Sequence, residues 1–343
     1  MARAVRATES HRAVAVETPL IARVFAALAD GRFHSGEALA RTLGVSRSAI
    51  WKAVAALKAL GSELHAVRNR GYRLAHSSDP LDPESIREHL TPEGRAHVAR
   101  VESVWSIDST NTALLARANP GHGTCEVLLA EFQTAGRGRR GRAWLAPPGG
   151  AICLSLSWSF REVPQDLGAL GLAIGVCALR ALRAHGIDAV TLKWPNDLLV
   201  GERKLGGVLI DLRAESAGPA SVVIGIGLNL TLGAALLGQI AQSGTAATDL
   251  ASTLQPLPAR NALAAALVSA CVAGLRAFER EGLKPFIEDW RAADALRGRA
   301  VSVSAADGVA RGVARGIDLR GALMLETPQG IRRFISGDVT VRP

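Results

Sequence analysis

Several large protein classes are excluded by what this sequence lacks. No stretch approaches ~18 uninterrupted apolar residues, so no transmembrane helix and no membrane partner are expected. The first 17 residues carry Arg3, Arg6 and Arg12 but no apolar segment, and they read as a frayed tail. Their Arg/Ala-rich composition only superficially matches a transit peptide. Cysteines are few: Cys125, Cys153, Cys177 and Cys271 are too far apart for metal-ligand pairs. They are expected to be small buried apolar side chains in a cytoplasmic, reducing setting. There is no zinc-spaced His/Cys set and no G-x-S-x-G elbow, so zinc-enzyme and serine-hydrolase readings find no support. No internal repeat is present.

What is there looks globular. The chain has 343 residues, 48% hydrophobic and 21% charged, which suits two or three folded domains and neither a disordered nor a fibrous protein. Charge is the first informative quantity. The formal net charge is +9, but residues 1–76 hold 12 Lys/Arg against 5 Asp/Glu, a net of +7. A basic module on a nearly neutral body suggests that the module meets nucleic acid.

That module, residues 18–76, reads as three short helices and a hairpin. Leu20, Ile21, Val24, Phe25 and Leu28 recur at helical spacing before Asp30-Gly31. Ser35 can cap a second helix that ends near Gly44, and Ser46 a third with Ile50, Val54 and Leu57 on its apolar stripe. Two helices joined by a short Gly-containing turn match a helix-turn-helix, whose second helix enters the major groove. Ser46, Arg47, Ser48, Trp51 and Lys52 are therefore candidate DNA contacts. Residues 67–74 are strand-like around an Asn/Arg/Gly tip, a basic wing offering Arg68 and Arg70. The competing reading is a small helical bundle whose charges are merely solvated.

A polar linker, residues 75–80, ends at Pro80. Asp82-Pro83 can cap a short helix. Strands are expected at 98–106, 126–132, 151–158, 190–193, 198–200, 207–213 and 222–228, with helices near 165–185, 260–281 and 283–293. Such a mixture predicts an α+β domain over 77–295, a mixed sheet with helices on one face. Residues 296–343 switch to short β segments at 300–304, 309–317, 323–326, 331–334 and 339–341. Turns at Asp307-Gly308 and Arg320-Gly321 make this a small barrel-like domain.

Four segments carry candidate chemistry. Gly136-Arg137-Gly138-Arg139-Arg140-Gly141-Arg142 satisfies G-x-G-x-x-G, but Pro147-Pro148-Gly149-Gly150 forbids the helix a dinucleotide site needs. It remains a flexible loop of bare N–H groups and guanidiniums, suited to a phosphate or carboxylate, or else a basic surface loop. In Lys193-Trp194-Pro195-Asn196-Asp197 the proline keeps Trp194 extended. A hairpin around Gly201-Glu202 then brings out Lys204 beside Gly206 and Gly207. Ser109-Thr110-Asn111 can cap a helix or bind a small polar ligand. Gly225-Ile226-Gly227-Leu228-Asn229 is a strand ending in an amide.

Taken together, and with His34-Ser35-Gly36-Glu37, Asp108 and Gln133, these segments closely resemble the bifunctional biotin–protein ligases and biotin operon repressors. The resemblance covers about residues 20–343 in order. It implies a winged helix, a central domain related to class II synthetase folds and an SH3-like C-terminal domain. It also implies a reaction: biotin and ATP form biotinoyl-5′-AMP and pyrophosphate, and biotin passes to one lysine of the apo biotin carboxyl carrier protein of acetyl-CoA carboxylase. By matching position, Ser109, Thr110, Asn111, Gln133, Arg137, Gly138, Arg139, Lys204 and Gly207 would bind biotin. Arg139, Arg142, Trp144, Lys193, Asn196 and Asn229 would surround ATP and the adenylate. Lys204 and Arg139 would be catalytic, and Mg²⁺ would bridge substrate phosphates without an assigned protein ligand. The family further implies operator DNA of biotin genes as a partner, a homodimer when adenylate is bound, and a cytoplasmic setting.

The chain departs from the family in places. Members often carry a tryptophan after the Gly-Ile-Gly-Leu-Asn strand, whereas residues 231–248 contain none. Trp51 is unusual in a recognition helix. Rival readings are a ligase whose winged helix is only architectural, a lipoate-type ligase, and a ligand-sensing regulator without activity. Retention of Lys204 and the whole arginine loop argues against the last.

Overall fold

The computed structural model describes residues 18–117, 119–213, 220–305 and 308–341. The expected tail, 1–17, and Asp307 of one expected turn lie outside the described residues.

The N-terminal helices are α1 (Leu20–Leu28), α2 (Gly36–Leu43) and α3 (Arg47–Ala59), followed by the hairpin β1 (Leu64–Val67) and β2 (Gly71–Leu74). Their boundaries follow from capping. Ser35 Oγ accepts from Ala38 N and Ser46 Oγ from Ala49 N, while Gly44 closes α2 in the left-handed conformation, φ 68°. Val24, Phe25, Leu28, Leu39, Ile50, Val54, Leu57 and Leu74 form this unit's own core.

The central unit holds α4 (Pro83–His89), α5 (Pro92–His97), β3 (Val98–Ile107), α6 (Thr110–Leu115), β4 (Cys125–Gln133), β5 (Ala151–Ser159) and α7 (Leu170–Arg183). It continues with β6 (Val190–Lys193), β7 (Asp197–Val200), β8 (Arg203–Arg213), β9 (Ser221–Asn229), α8 (Ala234–Gln242), α9 (Arg260–Glu281) and α10 (Ile287–Ala293). One seven-stranded sheet runs β3-β4-β5-β9-β8-β7-β6, parallel only between β3 and β4, so the expected mixed sheet is present. Helices α7 and α9 cover one face with the main apolar core. Helix α9 is long and apolar enough to cross a membrane by length and composition, but two-thirds of its apolar window is buried in this core. All four cysteines are buried free thiols.

The C-terminal unit is an all-antiparallel sheet of β10 (Ala300–Ala305), β11 (Gly308–Ile317), β12 (Leu323–Thr327), β13 (Gly330–Phe334) and β14 (Asp338–Val341), ordered β13-β12-β11-β10-β14. It meets the central sheet through Trp194, whose indole N–H donates to Gly321 O at 3.1 Å.

Two helices had no counterpart in the expected elements: α5 and α8. The strand expected from Gly207 begins at Arg203 instead. Lys204 N donates to Ala246 O and Thr248 N to Lys204 O, which supports the strand beyond the Gly206-Gly207 pair.

Candidate active site

Strand alternation builds the floor of the site. In β9, Ile224, Ile226 and Leu228 point into the core, leaving Gly225, Gly227 and Asn229 on the opposite face. Gly207 of β8 pairs with Gly227. With no Cβ, this face admits flat groups: a Cβ on Gly227 would lie 2.5 Å from the Trp144 ring, and one on Gly225 2.4 Å from Asn111 Oδ1. Trp144 therefore lies across Gly227 and α6 sits over Gly225.

A buried polar chain runs along this face. Ser109 caps α6, and Thr110 N donates to Gln133 Oε1 at 2.8 Å. Gln133 Oε1 is thereby occupied, and its Nε2 is the group left to donate elsewhere. The Ser155 hydroxyl lies 2.5 Å from Asn111 Oδ1 and 2.7 Å from Thr110 Oγ1. Its one proton goes to the Asn111 carbonyl oxygen, which cannot donate. Asn111 Nδ2 donates in turn to Asp211 Oδ2 at 2.9 Å. Cys153 sits under Trp144 and Gln133, and burial pushes its thiol up to about 11.

The arginine loop closes over this chain. Gly138 N donates to Arg142 O at 2.7 Å and Trp144 N to Gly136 O at 2.8 Å, so the loop is a folded turn with no α-helix in it. Arg137 shares the Asp211 Oδ2 atom at 2.9 Å. Arg140, held left-handed at φ 52°, and Arg142 both reach Asp338 of β14, at 2.9 and 3.1 Å. Arg139 forms no ion pair among the described residues. It is half-buried, and burial lowers its pKa from the ordinary value, with Asp338 opposing and Arg140 reinforcing. Lys204 Nζ pairs with Asp197 Oδ1 at 2.5 Å. Lys193 is lowered by burial, an effect that Asp197 opposes and Lys204 reinforces.

Two expected residues are engaged in the frame. Asn196 Nδ2 donates to Val208 O at 2.6 Å, while Asn229 Nδ2 donates to Thr248 O at 2.9 Å. The Asn229 Oδ1 remains buried without a partner, an acceptor turned to the glycine-floored face. The DNA candidates form a separate group on the winged helix. Ser46 and Ser48 hydroxyls lie 2.9 Å apart, and Arg47, Lys52, Arg68 and Arg70 are exposed, with Trp51 62% exposed. Ser155, Asp211 and Asp338 were missed from sequence. A serine inside an apolar strand was the only available signal, and the two aspartates gain meaning only from partners 74 to 198 residues away.

Three family models match in chain order. They are an HTH domain at residues 24–73, the Biotin/lipoate A/B protein ligase family at 104–229, and the Biotin protein ligase C terminal domain at 297–342. The central match sets the class: a protein ligase of the biotin/lipoate type. Bifunctional ligase/repressor BirA of Salmonella typhimurium strain LT2 is 38% identical over 92% of this chain and 95% of its own. The protein of the same name from Escherichia coli K12 is 36% identical over 93% and 96%. Biotin protein ligase from Aquifex aeolicus in complex with biotin and ATP is similar in structure, with 25% identity, TM-score 0.58, and coverage of 71% of this chain and 99% of that one. The chain belongs to the family of bifunctional biotin–protein ligase/repressors.

Proposed function

We propose that the chain activates biotin as biotinoyl-5′-AMP, transfers it to a carrier-domain lysine, and represses transcription through its winged helix in response to that adenylate. The observation that carries the ligase reading is convergence. A polar chain, a bare glycine floor and a loop of four arginines meet within reach of Lys204 at one end of the sheet.

A carboxylate is a poor acyl donor until its oxygen carries a good leaving group. In the first step a biotin carboxylate oxygen bonds to the α-phosphorus of ATP, and the bond to the β-phosphate oxygen breaks to release pyrophosphate. Two anions must approach each other, and fixed cations stabilise the charge that develops. Arg139 and Lys204 serve there, with Arg137, Gly138 and Gly207 beside the ligand and Arg142 steadying a phosphate. The Gln133 Nε2 donor, with Ser109, Thr110 and Asn111, orients the ureido ring. Trp144, Lys193, Asn196 and Asn229 frame the adenylate. In the second step the carrier's lysine amine attacks the acyl carbon, AMP leaves and the amine proton is lost.

The described residues contain no cluster of three His, Cys, Asp or Glu able to cage a metal, and Asp197 and Asp211 already pair with cations. That donor set fits Mg²⁺ carried on the triphosphate, where it screens phosphate charge. We assign residues 18–76 to the DNA-binding unit, 77–295 to the ligase and 296–343 to the SH3-like domain. The acceptor is the apo biotin carboxyl carrier protein of acetyl-CoA carboxylase, the DNA partner is the operator of biotin genes, and the adenylate-bound state is a cytoplasmic homodimer.

Incubation with biotin, ATP, Mg²⁺ and an apo carrier domain, read by intact mass, tests the ligase; an unmodified carrier would sink it. Gel shifts on biotin-operon promoter DNA, with and without both ligands, test the repressor. Binding indifferent to ligand would favour an architectural winged helix.

A further inference from the structure

The wing carries a third arginine, Arg73, beyond the candidate contacts Arg68 and Arg70. An antiparallel bridge joins His34 to Tyr72, with both N···O contacts at 2.9 Å, so the segment before α2 lies alongside β2. In that register Phe33 lies opposite Arg73, which lies opposite His65 on β1. Gly71 makes the close approach possible, since a Cβ there would sit 2.0 Å from His34 O. Half-buried Phe33 then receives two guanidiniums: Arg70 Cζ is 4.2 Å and Arg73 Cζ 5.1 Å from its ring centroid. Neither arginine has a carboxylate partner among the described residues, and Arg73 Nε is buried with no hydrogen-bond partner.

We propose that Phe33 is a positioning residue that holds Arg70 and Arg73 as one clamp for the phosphate backbone of duplex DNA. The proposal rests on the reading that the winged helix binds DNA. Two like charges gathered on one strand pair repel each other. The electron-rich face of the ring offsets that repulsion and leaves the N–H edges free. An arginine already ordered on a ring also loses less side-chain freedom when a phosphate binds.

Anisotropy of a fluorescein-labelled random-sequence duplex, titrated with the full chain over a salt series, tests the clamp. Phe33→Leu should bind about 5- to 10-fold more weakly, the scale of one cation–π contact per arginine. Phe33→Tyr should stay within about twofold, since it keeps the ring. Arg70→Ala and Arg73→Ala should each flatten the log–log salt slope by about 0.9, while Phe33→Leu leaves the slope unchanged. In the DNA-free protein, ring-current upfield shifts of the Arg70 and Arg73 δ-protons should be present in wild type and Phe33→Tyr and absent in Phe33→Leu. Wild-type affinity in Phe33→Leu overturns the proposal, as does an unchanged slope in Arg73→Ala or no duplex binding by wild type. Should Phe33→Leu unfold, the tyrosine and arginine variants decide alone. Binding to random duplex with no operator preference and no response to biotin and ATP would remove the repressor reading and leave the clamp standing.

Discussion

The molecule has two arginine-rich regions, and they handle charge in opposite ways. In the arginine loop after β4, Arg137 is paired with Asp211, and Arg140 and Arg142 with Asp338. Only Arg139 lacks a carboxylate among the described residues, and it is the one whose charge burial disfavours. On the winged helix, Arg47, Lys52, Arg68, Arg70 and Arg73 have no carboxylate partner among the described residues, and two of them rest on a neutral ring. The loop thus keeps its cations balanced internally and leaves a single half-buried charge, as a proposed site for one small ligand would. A surface for a polyanion leaves its cations open. Net charge reports the second kind and conceals the first, which is why +7 stood out in residues 1–76 while the catalytic unit looked neutral.

Salt should separate the two regions most widely. Counterion release should make a winged helix with several phosphate contacts lose about 10³-fold in operator affinity between 50 and 200 mM salt. Carrier biotinylation should change by no more than about threefold, because screening weakens the loop's internal pairs along with its ligand contacts. Equal salt sensitivity in gel shift and biotinylation would erase the contrast.

Lys204→Ala comes next. Losing a charge-assisted contact at developing phosphate charge should slow adenylate formation about 10²- to 10³-fold, read as pyrophosphate release. A rate within a few-fold of wild type would remove Lys204 from the machinery. Operator binding without ligands should be untouched.

Much of this was legible in local sequence. Ser35, Ser46 and Gly44 set the winged-helix boundaries by themselves, and the Gly225–Asn229 segment read correctly as a strand ending in an amide. Short-range rules fail where one segment serves two purposes. Ser109-Thr110-Asn111 reads as either cap or ligand site; in α6 Ser109 caps while Thr110 and Asn111 join a buried polar chain. Gly206-Gly207 resembled the start of a strand, yet β8 begins at Arg203 because residues 246–248 support it from outside. Asp211 and Asp338 could not be found at all from spacing, since their meaning lies in loop arginines distant in sequence.

Arg139→Gly probes the loop arginine that has no ion-pair partner among the described residues. It removes a charge-assisted contact of about 1.5–3 kcal/mol. It also adds backbone freedom of about 0.5–1 kcal/mol to a loop already holding Gly136, Gly138 and Gly141. Together these correspond to adenylate escaping roughly 30-fold faster or more. The free mixed anhydride should then label an unrelated lysine-rich protein that wild type spares. Unchanged bystander labelling by a variant that still makes adenylate would move the retention role to Arg137.

The smallest effect is expected at Asp338, and it examines whether internal pairing is what balances the loop. One carboxylate in the C-terminal sheet receives both Arg140 and Arg142 and so ties that loop to β14. Arg142 is 64% exposed at its side chain and Arg140 44%, so each pair is screened and contributes about 0–1 kcal/mol. Arg140 is itself in the left-handed conformation, which costs a non-glycine residue about 1–2 kcal/mol. Asp338→Asn keeps the shape and removes the charge, so the loop should open more readily without losing any group that touches substrate. The expected signature is a KM for biotin raised about two- to fivefold with kcat nearly unchanged, the pattern of lost binding rather than lost transition-state contact. Adding salt to wild type should reproduce part of that rise and add little to the variant. A kcat reduced tenfold or more would mean that the C-terminal sheet takes part in the chemistry, and that the charge on this loop is not balanced merely for storage.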